Sequence, residues 1–112
     1  MSVPEIRHGA IVMVSPLQGE AAPRASVVVQ ADLFNDTHAT ITLCPLTEII
    51  GGESLFRVAI SPQEHTGLSV ECEVQVDRIT SVRRHRIVEV IGHASPTRME
   101  QVDQALRRWL TL

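Results

Sequence analysis

The sequence contains no lysine, no tyrosine and few aromatic side chains of any kind. Aromatic residues make up 3% of the chain, which leaves too few rings for a domain that binds nucleic acid mainly by stacking bases. All 10 basic side chains are arginine, whose planar and permanently charged guanidinium suits carboxylate and phosphate partners. Because the formal net charge is −3, any binding to nucleic acid would depend on a local patch of positive charge.

Long apolar runs and the common catalytic motifs are also missing. No apolar run approaches the ~20 residues that cross a bilayer, and Pro4, Glu5 and Arg7 interrupt the stretch that a signal peptide needs. We therefore expect a cytoplasmic protein without a membrane partner. The sequence has no P-loop, GxGxxG, HExxH or GxSxG pattern, and its 5 histidines lack metal-ligand spacing, so neither a metal nor a cofactor is predicted.

The two cysteines, Cys44 and Cys72, lie in apolar surroundings without a CxxC pair. We interpret both as buried thiols of a reducing compartment and not as a disulfide. What the sequence does contain is a 44% share of hydrophobic residues in 112 residues, which is enough for one packed core. A single domain over residues 1–112 is therefore predicted.

Short apolar runs rich in branched side chains predict a mainly β fold. The predicted strands cover residues 10–14, 25–29, 39–44, 55–60 and 71–77, the last with a clean alternation of apolar and polar side chains. Pro45 is expected to end the third strand, since proline cannot donate a hydrogen bond to a sheet. The turn after the second strand is expected at Asn35-Asp36.

The last segment changes to a helical period, carried by Met99, Val102 and Leu106. Its helix starts in one of two ways: Ser95 is the N-cap residue, or Thr97 is the N-cap residue and Glu100 completes a capping box. Several short antiparallel strands followed by one C-terminal α-helix indicate a small barrel of SH3-like or OB-like size.

Polar residues at strand ends are the candidates for chemistry, because a rigid barrel presents reactive groups there. They are Glu20, Arg24, Thr47 and the basic run at 83–86 (RRHR). Taken alone, Arg24 is better interpreted as a surface arginine at the start of a strand, and Thr47 as a turn residue after Pro45. The basic run is either a solvated hairpin face or a site that positions phosphates.

Five short motifs follow one another along nearly the whole chain. They are Gly9-Ala10-Ile11-Val12, the loop Gly19-Glu20 leading to Arg24 and Val27-Val28-Val29, Pro45-Leu46-Thr47, the segment 76–82 (VDRITSV) with Arg86, and Met99 followed by 102–106 (VDQAL). In order and spacing they resemble the MazF/PemK family of toxin endoribonucleases.

The resemblance implies a small SH3-like barrel of the MazF/CcdB type, a homodimer, and metal-independent cleavage of single-stranded RNA. It also implies a cognate MazE-like antitoxin that occupies the RNA groove. The catalytic pair of the family falls on Arg24 and Thr47. We assign Arg24 to phosphate stabilisation and leaving-group protonation, Thr47 to a hydrogen bond with a phosphate oxygen, and Glu20 to the general base, since a carboxylate near an arginine can orient it and accept a proton.

The remaining candidates are substrate-binding residues. Arg78 and Cys72 stand where the family usually has glutamine and serine, and Arg83 and Arg86 come from the basic run. Other departures are Ala25, which follows Arg24 where the family usually has proline, and a shortened first loop. They leave two alternatives open: a non-catalytic CcdB-like toxin that acts on DNA gyrase, and a degenerate copy that only binds an antitoxin.

Overall fold

Seven short strands and two α-helices form the computed structural model, which describes residues 5–16, 22–51 and 54–112. The strands are β1 (Ala10–Val14), β2 (Arg24–Val28), β3 (Thr40–Thr47), β4 (Arg57–Ile60), β5 (Cys72–Gln75), β6 (Thr80–Arg83) and β7 (Ile87–His93). The helices are α1 (Asp32–Asn35) and α2 (Pro96–Leu110). Short 3₁₀ turns cover Ser54–Phe56, Pro62–Glu64, Val76–Arg78 and Arg84–Arg86.

All strand pairs are antiparallel, and the sheet runs in the order β4-β5-β3-β2-β1-β7, with β6 paired to β3 beside β5. Within the described residues no ladder joins β4 to β7, so the sheet stays open there. This architecture confirms the predicted mainly β fold with short antiparallel strands and a C-terminal α-helix. No helix among these residues has both the length and the apolar character that a membrane crossing requires.

The prediction that Pro45 ends the third strand is wrong, because β3 continues through Pro45 to Thr47. Along β3, Thr42 directs its backbone towards β2, where its carbonyl accepts a hydrogen bond from Val29 N at 3.1 Å. By alternation Pro45 faces the other side. That side is where β3 changes its partner from β6, which ends opposite Leu43, to β5, which begins opposite Leu46. The missing N–H of Pro45 therefore falls in a gap between two ladders and costs no ladder hydrogen bond.

Other predicted boundaries shift by a few residues. In the segment expected as a strand at 55–60, a 3₁₀ turn over Ser54–Phe56 precedes β4. The strand expected at 71–77 ends at Gln75, and a 3₁₀ turn over Val76–Arg78 follows it. The turn expected at Asn35-Asp36 is preceded by the four-residue helix α1.

The core consists of two hydrophobic clusters, one on each face of the central strands. Alternating residues of β1 supply both: Ile11 packs in the cluster beneath α2, and Val12 packs in the opposite one. Helix α2 covers the first cluster with Met99, Val102 and Ala105. Cys44 and Cys72 also lie in this cluster as free, buried thiols, in agreement with the prediction.

The start of α2 is decided in favour of Ser95. The Ser95 hydroxyl accepts a hydrogen bond from Arg98 N at 3.1 Å, and Pro96 occupies the first helical position. The Arg98 side chain also pairs with Glu64 at 3.2 Å, which ties the first turn of the helix to the turn after β4.

Candidate functional site

The pairing of β2 with β3 brings Arg24 and Thr47 to the same end of the sheet. In this ladder Ser26 is opposite Pro45 and Val27 is opposite Cys44. This ladder ends at Ser26 and Pro45, and Arg24 and Thr47 lie two residues beyond it, as the first residue of β2 and the last residue of β3. By alternation both belong to the face of Ser26 and Pro45, and because they stand at strand ends both also reach the cleft formed on the other face. Arg24 is exposed and Thr47 is half-buried.

Both residues line a cleft of about 670 Å³, which we call the large cleft. A row of side chains across adjacent strands forms its floor: Glu89 of β7 is opposite Met13 of β1, and Met13 is opposite Ala25 of β2. Leu46 of β3 continues this row. The residues 67–70, together with Cys72, Glu48, Ile49 and Ile91, complete the lining.

Gly67 allows the segment 67–70 to lie against β7. Its φ is +74°, and a Cβ at this position would lie 2.0 Å from the carbonyl oxygen of Ile91. No residue other than glycine fits this approach without a shift of backbone. The dimensions of the large cleft therefore depend on a glycine outside the strands that carry Arg24 and Thr47.

Arg24 also lines a second cleft of about 250 Å³, the small cleft, together with Arg86. The other polar side chains of the small cleft are hydroxyls: Ser15, Ser26, Thr80 and Ser81. Among the described residues, no carboxylate lines it. Two guanidiniums and several hydroxyls suit a phosphate, since each offers hydrogen-bond donors to anionic oxygens. Arg86 is held in place by a hydrogen bond of 2.7 Å from its guanidinium to the Ser15 carbonyl.

The Thr47 hydroxyl has a fixed position, and among the described residues no acceptor takes its hydrogen. Its oxygen accepts a hydrogen bond from Ile49 N at 3.1 Å, which organises the turn after β3. Because this bond uses a lone pair, the hydroxyl hydrogen is available for a ligand oxygen in the cleft.

Cys72 lines the large cleft as a neutral thiol. Burial raises the pKa of this thiol above its ordinary value, and its Sγ donates to the Val70 carbonyl at 3.5 Å. The thiol therefore contributes shape and a weak polar contact, and no negative charge.

The other predicted site residues are not all brought together. Arg78 is exposed at the end of a 3₁₀ turn, and Arg83 is exposed in β6 opposite Thr40; neither lines the large or the small cleft. Arg86 shares the small cleft with Arg24. Glu20 lies outside the described residues.

Two carboxylates of the large cleft, Glu48 and Glu89, were not among the candidates from sequence. Glu48 had a usable signal, since it follows Thr47 directly. Glu89 had none, because only the pairing of β7 with β1 brings this strand residue to the floor of the cleft.

Comparison with known proteins places this geometry in a family. Residues 7–110 match the family model of the PemK-like, MazF-like toxin of type II toxin–antitoxin systems. The chain is 34% identical to endoribonuclease MazF9 of Mycobacterium tuberculosis, over 96% of this chain and 98% of that protein. It is 33% identical to a probable endoribonuclease MazF of Mycolicibacterium smegmatis, over 75% of this chain and 76% of the other.

The fold agrees with solved structures as well. A MazE–MazF crystal structure from Deinococcus radiodurans superposes with a TM-score of 0.81 at 22% identity, covering 95% of this chain and 96% of that one. These comparisons confirm the predicted resemblance and the enzyme class that it carries, endoribonuclease. The chain therefore belongs to the PemK-like, MazF-like toxin family of type II toxin–antitoxin systems.

Proposed function

We propose that this chain is a single-domain toxin that cleaves single-stranded messenger RNA at selected sequences without a metal ion, with Arg24 and Thr47 as its catalytic residues. The observation that carries the proposal is that both side chains line one cleft, Arg24 at the start of β2 and Thr47 at the end of β3. The relatives named as endoribonucleases support the same reaction class.

The proposed reaction is an attack of a ribose 2′-hydroxyl on the adjacent phosphorus. The O2′–P bond forms, the P–O5′ bond breaks, and the products are a 2′,3′-cyclic phosphate and a 5′-hydroxyl. One proton leaves the 2′-oxygen and another reaches the 5′-oxygen, while negative charge grows on the phosphoryl oxygens. Catalysis therefore needs donors at those oxygens and a base near the 2′-hydroxyl.

Arg24 and Thr47 are suited to the donor roles. Arg24 carries five N–H donors and a positive charge. It lines both clefts, so that it contacts the scissile phosphate on the side of the large cleft and a neighbouring phosphate on the side of the small cleft. Thr47 donates its free hydroxyl hydrogen to a phosphoryl oxygen. Arg24 also supplies the proton of the leaving 5′-oxygen.

A carboxylate is proposed as the general base. Glu20 keeps this role as a prediction, and Glu48 is a second carboxylate, next to Thr47 and within the large cleft. Separate replacement of each by glutamine identifies the base: the variant that loses the acidic limb of the pH–rate profile has lost the proton acceptor.

The toxin is further proposed to act as a homodimer in the cytoplasm and to be neutralised by a MazE-like antitoxin. The solved relative from Deinococcus radiodurans contains both MazE and MazF. In this chain, Ile49 is 79% exposed and Val70 is 43% exposed at the rim of the large cleft, which offers apolar contacts to such a partner.

Incubation of the purified protein with a long single-stranded RNA in excess EDTA tests the function. We expect cleavage to persist in the chelator and to fall by ~10²-fold or more in Arg24→Ala and in Thr47→Ala, the usual loss for one donor to a growing oxyanion. Arg107→Ala, an exposed arginine near the end of α2, is the charge-matched control and keeps full activity.

Other outcomes identify the alternatives. Intact RNA together with inhibited DNA supercoiling would indicate a CcdB-like gyrase toxin. Intact RNA without that inhibition would indicate a copy that only binds an antitoxin. Folded Arg24→Ala protein with undiminished cleavage would contradict the catalytic assignment.

A further inference from the structure

The floor of the large cleft ends in a carboxylate that the proposed cleavage does not use. Glu89 is opposite Met13, and Met13 is opposite Ala25, so the three side chains share one face of the sheet. Glu89 is exposed, and within the described part of the chain no hydrogen bond or ion pair holds its carboxylate. Its acceptor oxygens are therefore available to a ligand in the cleft.

A bulge in β7 gives Glu89 this orientation. Met13 pairs with Glu89 whereas the next residue, Val14, pairs with Ile87, so that Val88 is an extra residue in the ladder. Without this extra residue, the strand would present a different side chain to the floor of the cleft. Bulges that redirect one side chain in this way are common beside functional sites.

The strand spacing separates Glu89 from the reacting phosphate. Glu89 lies in β7 and Arg24 in β2, with β1 between them, and by alternation the two residues belong to opposite faces of the sheet, so that they are separated by at least the roughly 10 Å of two strand spacings. This separation is too long for a hydrogen bond with a phosphate held by Arg24. This separation is comparable with the distance between the phosphate of a nucleotide and the far edge of the base of the same nucleotide.

Away from Arg24 and Thr47, the lining of the large cleft suits a base better than a phosphate. Leu68, Val70 and Ile91 provide apolar contacts, and Glu48 and Glu89 give the cleft two carboxylates against one guanidinium. These two carboxylates disfavour a second phosphate in this part of the cleft, and the small cleft, with two arginines, is the better place for the phosphate next to the scissile one. A flat base can bury its faces against the aliphatic side chains in a chain with few aromatic rings.

We propose that the large cleft is a base-reading subsite and that Glu89 makes it selective for guanine. This inference rests on the proposed function. A carboxylate only accepts hydrogen bonds, and guanine presents two adjacent donors, N1–H and the N2 amino group, to its two oxygens. Uracil, cytosine and adenine each place an acceptor beside their donor on the same edge, which a carboxylate repels.

Binding of short 2′-O-methyl RNA tests the inference independently of cleavage, because these strands lack the attacking hydroxyl. Four seven-nucleotide probes differ only in a central guanosine, adenosine, cytidine or uridine within uridines, and fluorescence anisotropy at one fixed salt concentration gives their affinities. We expect the guanosine probe to bind about tenfold more tightly than the all-uridine probe. In Glu89→Gln, this ratio falls to about twofold or less, while the all-uridine probe binds at least as well as before.

Glu100→Gln, which removes an exposed charge from α2, is the control and keeps the tenfold ratio. Equal binding of the four probes, or a guanosine preference that survives Glu89→Gln, would overturn the inference. A uniform loss of cleavage in Glu89→Gln on ordinary RNA, with unchanged probe ratios, would also overturn it and would make Glu89 a catalytic base.

The same proteins separate this inference from the proposed function. A Glu89-dependent guanosine preference in a protein that leaves ordinary RNA intact would support the subsite and reject the nuclease. Arg24-dependent cleavage, together with probe ratios that do not change in Glu89→Gln, would support the nuclease and reject the subsite.

Discussion

Gly67 shows how one residue outside the proposed catalytic pair sets the shape of the large cleft. It combines a φ of +74° with a Cβ direction that points at the Ile91 carbonyl oxygen, 2.0 Å away. The segment 67–70 follows it along the large cleft. Its identity is required by the close approach of the β7 backbone at Ile91.

Replacement of Gly67 by alanine is expected to destabilise the protein by about 2 kcal/mol or more, since both the left-handed backbone and the steric overlap must be relieved. Gly51→Ala is a matched control. Gly51 also has a positive φ, of +95°, but a Cβ there meets nothing within 4 Å, so a loss of about 1 kcal/mol is expected. Urea unfolding measures both, and equal losses would show that the contact with Ile91 is unimportant.

Cys44 provides a second prediction at the residue scale. Burial, with a smaller effect of Asp77, raises the pKa of this thiol to about 12. An unfolded thiol ionises near pH 8.5, so above about pH 9 the unfolded chain loses a proton that the folded chain keeps. The contribution of Cys44 to the free energy of unfolding should therefore be constant below this range and decrease by about 1 kcal/mol per pH unit above it.

The absence of lysine and tyrosine makes this effect measurable, because no other side-chain type titrates between pH 9 and 11. Urea unfolding at pH 8, 9, 10 and 11, followed by the fluorescence of Trp109, gives the slope. In Cys44→Ala most of the decrease should disappear, and the remainder belongs to Cys72, whose pKa is also raised by burial. Equal slopes in the two proteins would contradict the assignment to Cys44.

At the scale of elements, β3 organises the site. Residues 40–43 pair with β6, residues 43–45 pair with β2, and residues 46 and 47 pair with β5, so that one strand belongs to both parts of the sheet. Thr47 is at the end of this strand and is opposite Glu73 of β5. The position of Thr47 therefore depends on both the β2 and the β5 ladder.

Helix α2 gives a prediction at this scale. Ser95→Ala should cost about 1 kcal/mol of stability, because it removes the hydroxyl that accepts from Arg98 N. Thr97→Ala, at the alternative N-cap position, should change stability by less than about 0.5 kcal/mol. Thermal unfolding compares the two variants, and a larger loss in Thr97→Ala would mean that the helix begins two residues later.

At the scale of the whole molecule, charge is distributed unevenly around a small negative total. The formal net charge is −3, yet the small cleft holds two arginines without a carboxylate among the described residues. RNA binding should thus depend on a few local contacts and only weakly on a long-range field.

This distribution predicts a shallow salt dependence. If Arg24 and Arg86 neutralise two phosphates of a bound strand, the logarithm of the association constant should fall with the logarithm of salt concentration with a slope of about −1.4. Arg24→Ala should halve the slope, and Arg107→Ala should leave it unchanged. Titration of 2′-O-methyl RNA at several salt concentrations measures it, and a slope steeper than about −4 would require further phosphate contacts.

Much of the fold and part of the site could be predicted from the sequence. Alternation of apolar residues located most of the strands, helical spacing located α2, and the order of short motifs pointed to Arg24 and Thr47. These features are local, or depend on the order of residues along the chain. The N-cap residue remained open between Ser95 and Thr97, since both fit the same capping rules and only the hydrogen bond to Arg98 N distinguishes them.

The tertiary structure alone decided which residues share a cleft. Glu89 lines the same cleft as Arg24 and Thr47 because of two strand pairings and a bulge, whereas Arg83, close to Arg86 in sequence, lines neither cleft. The prediction that Pro45 ends β3 was wrong for the same reason. The energetic cost of a proline in a strand depends on whether its nitrogen faces a paired strand, and that is decided by the tertiary structure. Amino-acid patterns fix which side of a strand is buried, but the register and partner of each strand are non-local, and they determine which exposed side chains meet.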